Sequence, residues 1–269
     1  VRRALSYAYD HEWINKTIYQ NAYVRTDSYF DNSPLASSGL PSKNELELLN
    51  VWKDEIPAEV FTETFTPPIT DGSGNDRKNL LKAKEILEKE GWFVENGKLV
   101  KDGKEFKFEF LIVSPSDEKI ALAYQSNLKK LGITMDVRTV DSSQYQERLL
   151  SYDFDMIKRY WGVSLSPGNE QQFYWGSEVG QKDGSRNYPG INSPAVDALI
   201  EKLISATNRE ELTTAIHALD RVLLWGHYVV PLYHSNKDRI AYWDFFEYPD
   251  EIPLYGIVIE SWWINKDKQ

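Results

Sequence analysis

The clearest pattern of hydrophobic and polar positions lies in the middle of the chain. Phe106, Phe108 and Phe110 alternate with charged residues, and a period of two is typical of a β-strand. From there the pattern predicts strands and helices in turn, at 106–113, 117–131, 133–139, 142–151 and 154–161. Because helical crossovers join parallel strands, the predicted fold class is α/β, with this β-α-β-α-β core in a mixed sheet.

Helical periodicity flanks this core on both sides. Apolar residues recur three or four positions apart in segments 2–20 (one or two helices), 76–91, 193–203 and 208–224. Tyr228–Tyr233 and Arg239–Trp243 are predicted as strands. The first of these would be an edge strand, because Pro231 has no amide proton to give to a neighbouring strand.

The composition excludes several classes of function. The formal charge is −10 and the 31 lysines and arginines are scattered, whereas a nucleic-acid-binding surface needs them clustered on one face. The absence of cysteine excludes disulfides, thiol catalysis and thiolate metal sites. No stretch reaches the roughly 18–20 apolar residues of a membrane span. The sequence around Val1 is typical of the middle of a domain, so we expect the chain to begin inside a larger protein.

Motifs for catalysis and metal binding are incomplete. His11 opens a sequence close to the two-histidine zinc helix, but Asn15 stands where the second histidine must be. No dinucleotide-binding loop or nucleophile elbow occurs, so we expect no catalytic residue, metal or cofactor. Asp153 and Asp155 share one face of a strand, which leaves open a carbohydrate-active hydrolase that uses this carboxylate pair. The simpler interpretation is a solvated strand start.

A candidate binding site stands at the end of the third predicted strand. Tyr160 and Trp161 precede a loop rich in Gly, Ser and Pro, from Gly162 to Gly168. In open α/β sheets ligands bind beyond the ends of the strands, and rigid aromatic rings suit an organic ligand. The alternative is an ordinary core strand followed by a surface loop.

Several stretches of the chain match motifs of one known family. They are Val1–Asp10, Asp76–Gly91, Trp161-Gly162, Ser193–Ile200, and Leu219–Trp225 with Val230–Tyr233. Together they resemble the peptide-type (family 5) solute-binding proteins of ABC importers. Three further stretches, 164–171, 184–187 and 241–244, resemble the Yej-type branch, which is associated with peptide-like cargo including microcin C.

The resemblance implies a type II periplasmic-binding-protein-like lobe. Family members are longer, so residues 1–245 would be the second, C-terminal lobe and 246–269 a return segment that packs on a missing N-terminal lobe. The two lobes would close over an extended peptide about a hinge, without catalysis. The protein would be periplasmic or anchored at a bacterial cell surface, and it would deliver peptides or peptide-like cargo to membrane permease subunits.

The adjacent Trp262 and Trp263 have no evident partner within the chain. The resemblance implies that they dock on the missing lobe. A structural interaction domain, in which the Trp-rich tail binds another protein, is a third interpretation.

The resemblance also implies a ligand site on this lobe. Backbone groups of residues 160–162 would bond to the peptide main chain, with the rings of Tyr160 and Trp161 as stacking surface. Arg186 is a candidate for a ligand carboxylate, although a surface salt bridge is equally compatible. Val163 stands where many relatives place an Asp for the ligand's free α-amino group, so we expect cargo with a blocked or modified N-terminus. The candidate ligand-binding residues are Tyr160, Trp161, Gly162, Val163, Ser164, Arg186, Asn187 and Tyr188.

Overall fold

The structure is a computed structural model that describes residues 1–254 and 256–268. Tyr255 and Gln269, which fall within the predicted return segment, lie outside the described residues. The helices are α1 (Arg2–Tyr7), α2 (His11–Thr17), α3 (Lys43–Leu49), α4 (Glu59–Thr62), α5 (Arg77–Lys89), α6 (Pro115–Lys130), α7 (Ser142–Leu150), α8 (Glu170–Trp175), α9 (Pro194–Ile204) and α10 (Arg209–Trp225). The strands are β1 (Val24–Arg25), β2 (Phe93–Glu95), β3 (Lys98–Lys101), β4 (Lys104–Glu105), β5 (Lys107–Ile112), β6 (Thr134–Thr139), β7 (Met156–Ile157), β8 (Tyr233–His234), β9 (Phe246–Glu247) and β10 (Trp263–Ile264).

The predicted β-α-β-α-β core is confirmed. β5 lies between β6 and β7 in a parallel sheet, and α6 and α7 connect the three strands. The third strand is shorter than predicted, because only Met156 and Ile157 of the segment 154–161 pair with β5. The Asp155 carboxylate accepts the backbone N–H of Glu109 on β5 at 2.8 Å. This N–H group is therefore not available for a main-chain hydrogen bond between the strands, and the pairing of β7 with β5 begins at Met156.

Local signals set where the helices begin and end. The side chains of Asp76, Asp141 and Asn208 each accept a backbone N–H from the first turn of the helix that follows. Beyond the ends of α5 and α6, Gly91 and Gly132 have positive φ angles of 84° and 79°. A Cβ at Gly132 would lie 2.7 Å from the Leu99 amide nitrogen. Position 132 therefore requires glycine both because of its positive φ angle and because a side chain would collide with Leu99.

Two large apolar cores hold the chain together. One lies between the parallel sheet and helices α1, α5 and α6, with Ala4, Leu87, Leu128 and Met135 buried at its centre. The other packs α9 and α10 against the segment from Phe30 to Val60. A small third cluster, around Leu111, Tyr145 and Leu149, covers the other face of the sheet beneath α7.

The long loop 27–42 is fastened to α10 by two adjacent buried charges. Asp220 accepts hydrogen bonds from the Ser28 and Ser37 hydroxyls and from the backbone N–H groups of Tyr29 and Ser37, at 2.7–3.0 Å. Arg221 donates to Glu45 at 2.6 Å and to three carbonyl oxygens of the loop, those of residues 38–40. A loop rich in Ser, Pro and Gly thus acquires a fixed path from contacts with a helix far away in the sequence.

The C-terminal part differs from the prediction. Of the predicted strand Tyr228–Tyr233 only Tyr233 pairs, with β1, and Arg239–Trp243 forms no strand. Pro231 cannot donate to a ladder, which is consistent with the irregular path before Tyr233. None of the described residues after Tyr233 belongs to the three cores.

The Trp pair near the end of the chain has partners that the sequence did not reveal. The Trp262 ring packs against Tyr242 and Tyr248, with ring centres 4.9 and 5.1 Å apart, which corrects the expectation that nothing in the chain covers it. Trp263 lies in β10, which pairs with β9, and 49% of it is exposed. In the described part of the chain no helix is both long and apolar enough to cross a bilayer.

Candidate ligand-binding groove

A groove with a volume of about 600 Å³ runs along the free side of β7. One wall is formed by residues 155–161 and the other by residues 227–234, which follow α10. Leu5 of α1 and Ile120 and Tyr124 of α6 also line the groove. About a third of the lining residues are aromatic, among them Tyr29, Phe154, Tyr160, Trp161, Tyr188 and Tyr233.

The second wall depends on a sharp turn at the end of α10. The helix ends at Trp225, and His227 has a positive φ of 48°, which turns the chain back toward the sheet. A Cβ at Gly226 would overlap the Tyr228 ring, so this ring lies in the groove only because residue 226 has no side chain.

The main chain beyond β7 is unpaired. Within the described part of the protein, no backbone N–H or C=O of residues 159–163 forms a hydrogen bond. β7 is an edge strand, since β5 lies on one side only. An edge with free main-chain groups can accept an additional strand from another molecule.

Tyr160 and Trp161 both line the groove, but in different ways. Tyr160 is 85% exposed, so its ring is available to a ligand. Trp161 is half-buried, packs on Trp175 with ring centres 4.8 Å apart, and donates its indole N–H to the Arg186 carbonyl at 3.4 Å. The second ring is therefore fixed before any ligand arrives.

The other predicted site residues divide into those in the groove and those outside it. Val163 and Tyr188 line the groove, whereas Gly162, Ser164 and the exposed Arg186 do not. The Ser164 hydroxyl instead accepts the backbone N–H of Ser166 at 3.1 Å.

Asn187 requires a correction. Its side chain is fully buried and donates to the carbonyls of Gly176 and Ile191, at 3.0 and 2.8 Å. Its side-chain oxygen accepts the Ile191 N–H at 2.8 Å. Because these bonds occupy both ends of the amide, Asn187 fixes the loop that carries Tyr188, and it does not line the groove.

The sequence did not single out two cations of the groove. Lys158 pairs with Asp117 at 2.5 Å and donates to the Tyr233 hydroxyl at 3.2 Å. The Arg159 guanidinium lies over the Tyr188 ring, 5.3 Å from its centre. Both residues follow β7. The signal in the sequence that could have pointed to them was a predicted strand that ends in a loop with aromatic residues.

One histidine in the groove is held neutral. Burial, with help from the nearby Arg3 and Arg2, lowers the pKa of His227 to about 4. His227 therefore carries no charge at neutral pH. No cluster of three or more metal-binding side chains occurs among the residues that the structure describes.

The carboxylate pair considered for hydrolysis is divided. Asp153 forms a salt bridge with Arg148 at 2.9 Å and does not line the groove, whereas Asp155 does. An acid and a base acting on one glycosidic bond must face the same substrate. These two carboxylates do not.

Comparison with known proteins decides the family. Residues 1–183 match the model described as bacterial extracellular solute-binding proteins, family 5 Middle. The chain belongs to this family. Family 5 proteins bind solutes and are not enzymes, so the expectation of no catalysis is confirmed, and the hydrolase alternative built on Asp153 and Asp155 is wrong.

Individual family 5 relatives match almost the whole chain. An uncharacterized protein of Sinorhizobium fredii, y4wM, is 50% identical over 98% of this chain. The probable peptide-binding protein YejA of Agrobacterium fabrum is 42% identical over 99% of it. The chain spans 40% and 44% of the length of these two relatives.

The family 5 fold is also found in solved structures. The oligopeptide-binding protein AppA of Bacillus subtilis, solved with a nonapeptide, superposes with a TM-score of 0.67 at 23% identity, over 98% of this chain and 47% of AppA. The predicted fold class is thus confirmed.

Proposed function

We propose that this chain is the second lobe of the substrate-binding component of an ABC importer, and that it captures peptides or peptide-like cargo in the groove beside β7. The observation that carries the proposal is the unpaired main chain of residues 159–163 at the edge of an aromatic groove. Family membership and the naming of a 42% identical relative as a probable peptide-binding protein support it.

Binding of this kind follows from simple chemistry. An extended peptide has the same free N–H and C=O groups as the edge of a sheet, so it adds to the edge regardless of its side chains. The exposed ring of Tyr160 and the fixed rings of Trp161 and Tyr188 then offer apolar surface to side chains of varied shape.

The chain supplies one side of a cleft in this proposal. Residues 1–245 form the lobe, and the missing N-terminal lobe closes over the bound peptide about a hinge. Residues 246–269 return to that first lobe. Large apolar side chains of this segment are exposed here, with Leu254 at 87% and Ile259 at 65%, which supports a partner surface outside the chain.

The cargo is expected to lack a free α-amino group at this site. Val163 lines the groove at the position where the resemblance implies an acid for the ligand's ammonium group, and Asp117, which also lines the groove, is already paired with Lys158. Burying an ammonium without a counter-charge is costly. Calorimetry with a free peptide and its formylated counterpart tests this point, and a clear preference for the free amine would contradict it.

The remaining expectations follow from the family. The protein works outside the cytoplasmic membrane, in the periplasm or anchored at the cell surface, and passes cargo to the permease subunits of the importer. The scattered basic residues and the formal charge of −10 argue against nucleic acid as a partner.

The test uses the full-length natural protein of which this chain is a part. Purified under native conditions from its source and examined by native mass spectrometry, it should carry bound peptides that appear as released masses after denaturation. A Tyr160→Ala plus Trp161→Ala variant should lose most of them. The control variant Phe93→Ala removes an exposed aromatic ring of β2 that does not line the groove, and it should retain them. Release of sugars or nucleotides only would contradict the proposal.

A further inference from the structure

The acidic residues of the groove already have partners. Asp117 pairs with Lys158 at 2.5 Å, and Asp31 pairs with His234 at 3.3 Å. Asp155 accepts the backbone N–H of Glu109 at 2.8 Å. Each acidic side chain of the groove thus has a partner within the chain, and that of Asp117 is a cation.

One cation in the groove, Arg159, has no such partner among the described residues. Arg2 donates to the Gly226 carbonyl at 3.0 Å, and Lys158 is paired. The guanidinium of Arg159 makes no hydrogen bond or ion pair with any residue in the described part of the chain, and its contact is the face of Tyr188. Arg159 is half-buried and lines the groove, so it is not an ordinary solvated surface charge.

The position of Arg159 is set by the unpaired main chain itself. In an extended segment successive side chains point to opposite sides. In agreement, Arg159 and Trp161 both lie near Tyr188, at 5.3 and 6.4 Å, while Lys158 lies against Tyr233. A ligand whose backbone bonds to residues 159–163 would therefore bring one defined position close to this guanidinium.

We propose that Arg159, which lies over the Tyr188 ring, binds a carboxylate of the cargo and so makes the groove selective for acidic peptides. The inference rests on the proposed function and names the chemistry that the groove prefers. The N–H groups of this guanidinium have no partner within the described residues, and its planar fork matches the two oxygens of a carboxylate. The carboxylate comes from the C-terminus of the peptide or from an acidic side chain.

Competition within a defined peptide mixture tests the inference on the full-length natural protein. The mixture contains Ala-Ala-Glu-Ala and Ala-Ala-Gln-Ala, each with a free or amidated C-terminus and a free or formylated N-terminus. Retained peptides are quantified by mass spectrometry. The wild type should enrich a carboxylate-bearing peptide about tenfold to a hundredfold over its neutral counterpart, the range expected for a hydrogen bond to a charged group. Loss of enrichment on amidation assigns the C-terminus, and loss on replacing Glu by Gln assigns the side chain.

Variants connect the selectivity to Arg159. Arg159→Gln should retain peptides without distinguishing carboxylate from amide, and Arg159→Lys, which keeps the charge but not the fork, should give an intermediate ratio. Arg77→Gln is the matched control, since it removes the same charge from the exposed start of α5, away from the groove, and it should behave as the wild type. Thermal unfolding of each variant checks that it is folded. If Arg159→Gln does not fold, the enrichment ratio of Arg159→Lys serves as the test.

The outcomes separate this inference from the proposed function. If the wild type retains peptides without regard to carboxylates, or Arg159→Gln keeps the full enrichment, the role of Arg159 is wrong and peptide binding stands. If the wild type retains none of the peptides, the proposed function is contradicted and this inference with it.

Discussion

Replacing Glu45 by Gln should remove much of the stability of the α3–α10 contact. Glu45 is 5% exposed and pairs with Arg221 at 2.6 Å, with His217 also within 3.6 Å. Burial alone would raise the pKa of Glu45, but hydrogen bonds from His217 and Arg221 outweigh it and hold the pKa at about 2. Gln keeps the shape of the side chain but removes its charge, so the guanidinium of Arg221 is left buried without its counter-ion.

The magnitude follows from the shift in pKa. A fall from 4.5 to about 2 corresponds to about 3 kcal/mol of folding free energy above pH 4.5, since each tenfold change in proton affinity is worth about 1.4 kcal/mol. Breaking a buried ion pair typically costs about 3–5 kcal/mol, which is in agreement. Because the pKa is lower in the folded state, this stability is present above pH 4.5 and is lost as the pH falls toward 2.

Equilibrium unfolding in urea, followed by tryptophan fluorescence, measures the effect on the full-length protein. At pH 7 Glu45→Gln should lower the free energy of unfolding by about 3 kcal/mol, and the difference from the wild type should shrink between pH 4.5 and pH 2. Asp136→Asn is the control, because Asp136 pairs with Lys107 in water and this surface pair is worth at most about 1 kcal/mol. Equal losses in the two variants, or a loss at Glu45 that does not change with pH, would refute the reasoning.

Three further perturbations give separate tests. The hydrogen bond to Glu45 raises the pKa of His217, so His217→Gln should cost most stability below pH 6.5 and progressively less as the pH rises, measured by the same urea titrations. Asn187→Ala should cost about 2–4 kcal/mol, because it leaves buried groups of Gly176 and Ile191 unpaired; a loss below about 0.5 kcal/mol would show that these bonds do not matter. Gly226→Ala should displace the Tyr228 ring and weaken peptide retention in the mass-spectrometric assay, and unchanged retention would show that this wall of the groove is not used.

The sequence by itself determined the elements whose signals are local. The alternation in β5 and β6, the caps at Asp76 and Asn208, and the glycine beyond α6 each act over a few residues. These signals were sufficient to predict the β-α-β-α-β core correctly, and with it the edge at which Tyr160 and Trp161 stand. The family resemblance came from the same kind of short, contiguous motif.

Only the tertiary structure decided what faces that edge. The wall at 227–234, the pairing of Lys158 with Asp117, and the placement of Arg159 over the Tyr188 ring join residues far apart in the chain. Asn187 looked like a ligand contact in the sequence, yet the fold buries it and satisfies its amide. Local periodicity predicts on which side of its own helix or strand a side chain lies. The contacts of that side chain depend on how the elements pack, which is decided only when distant parts of the chain come together.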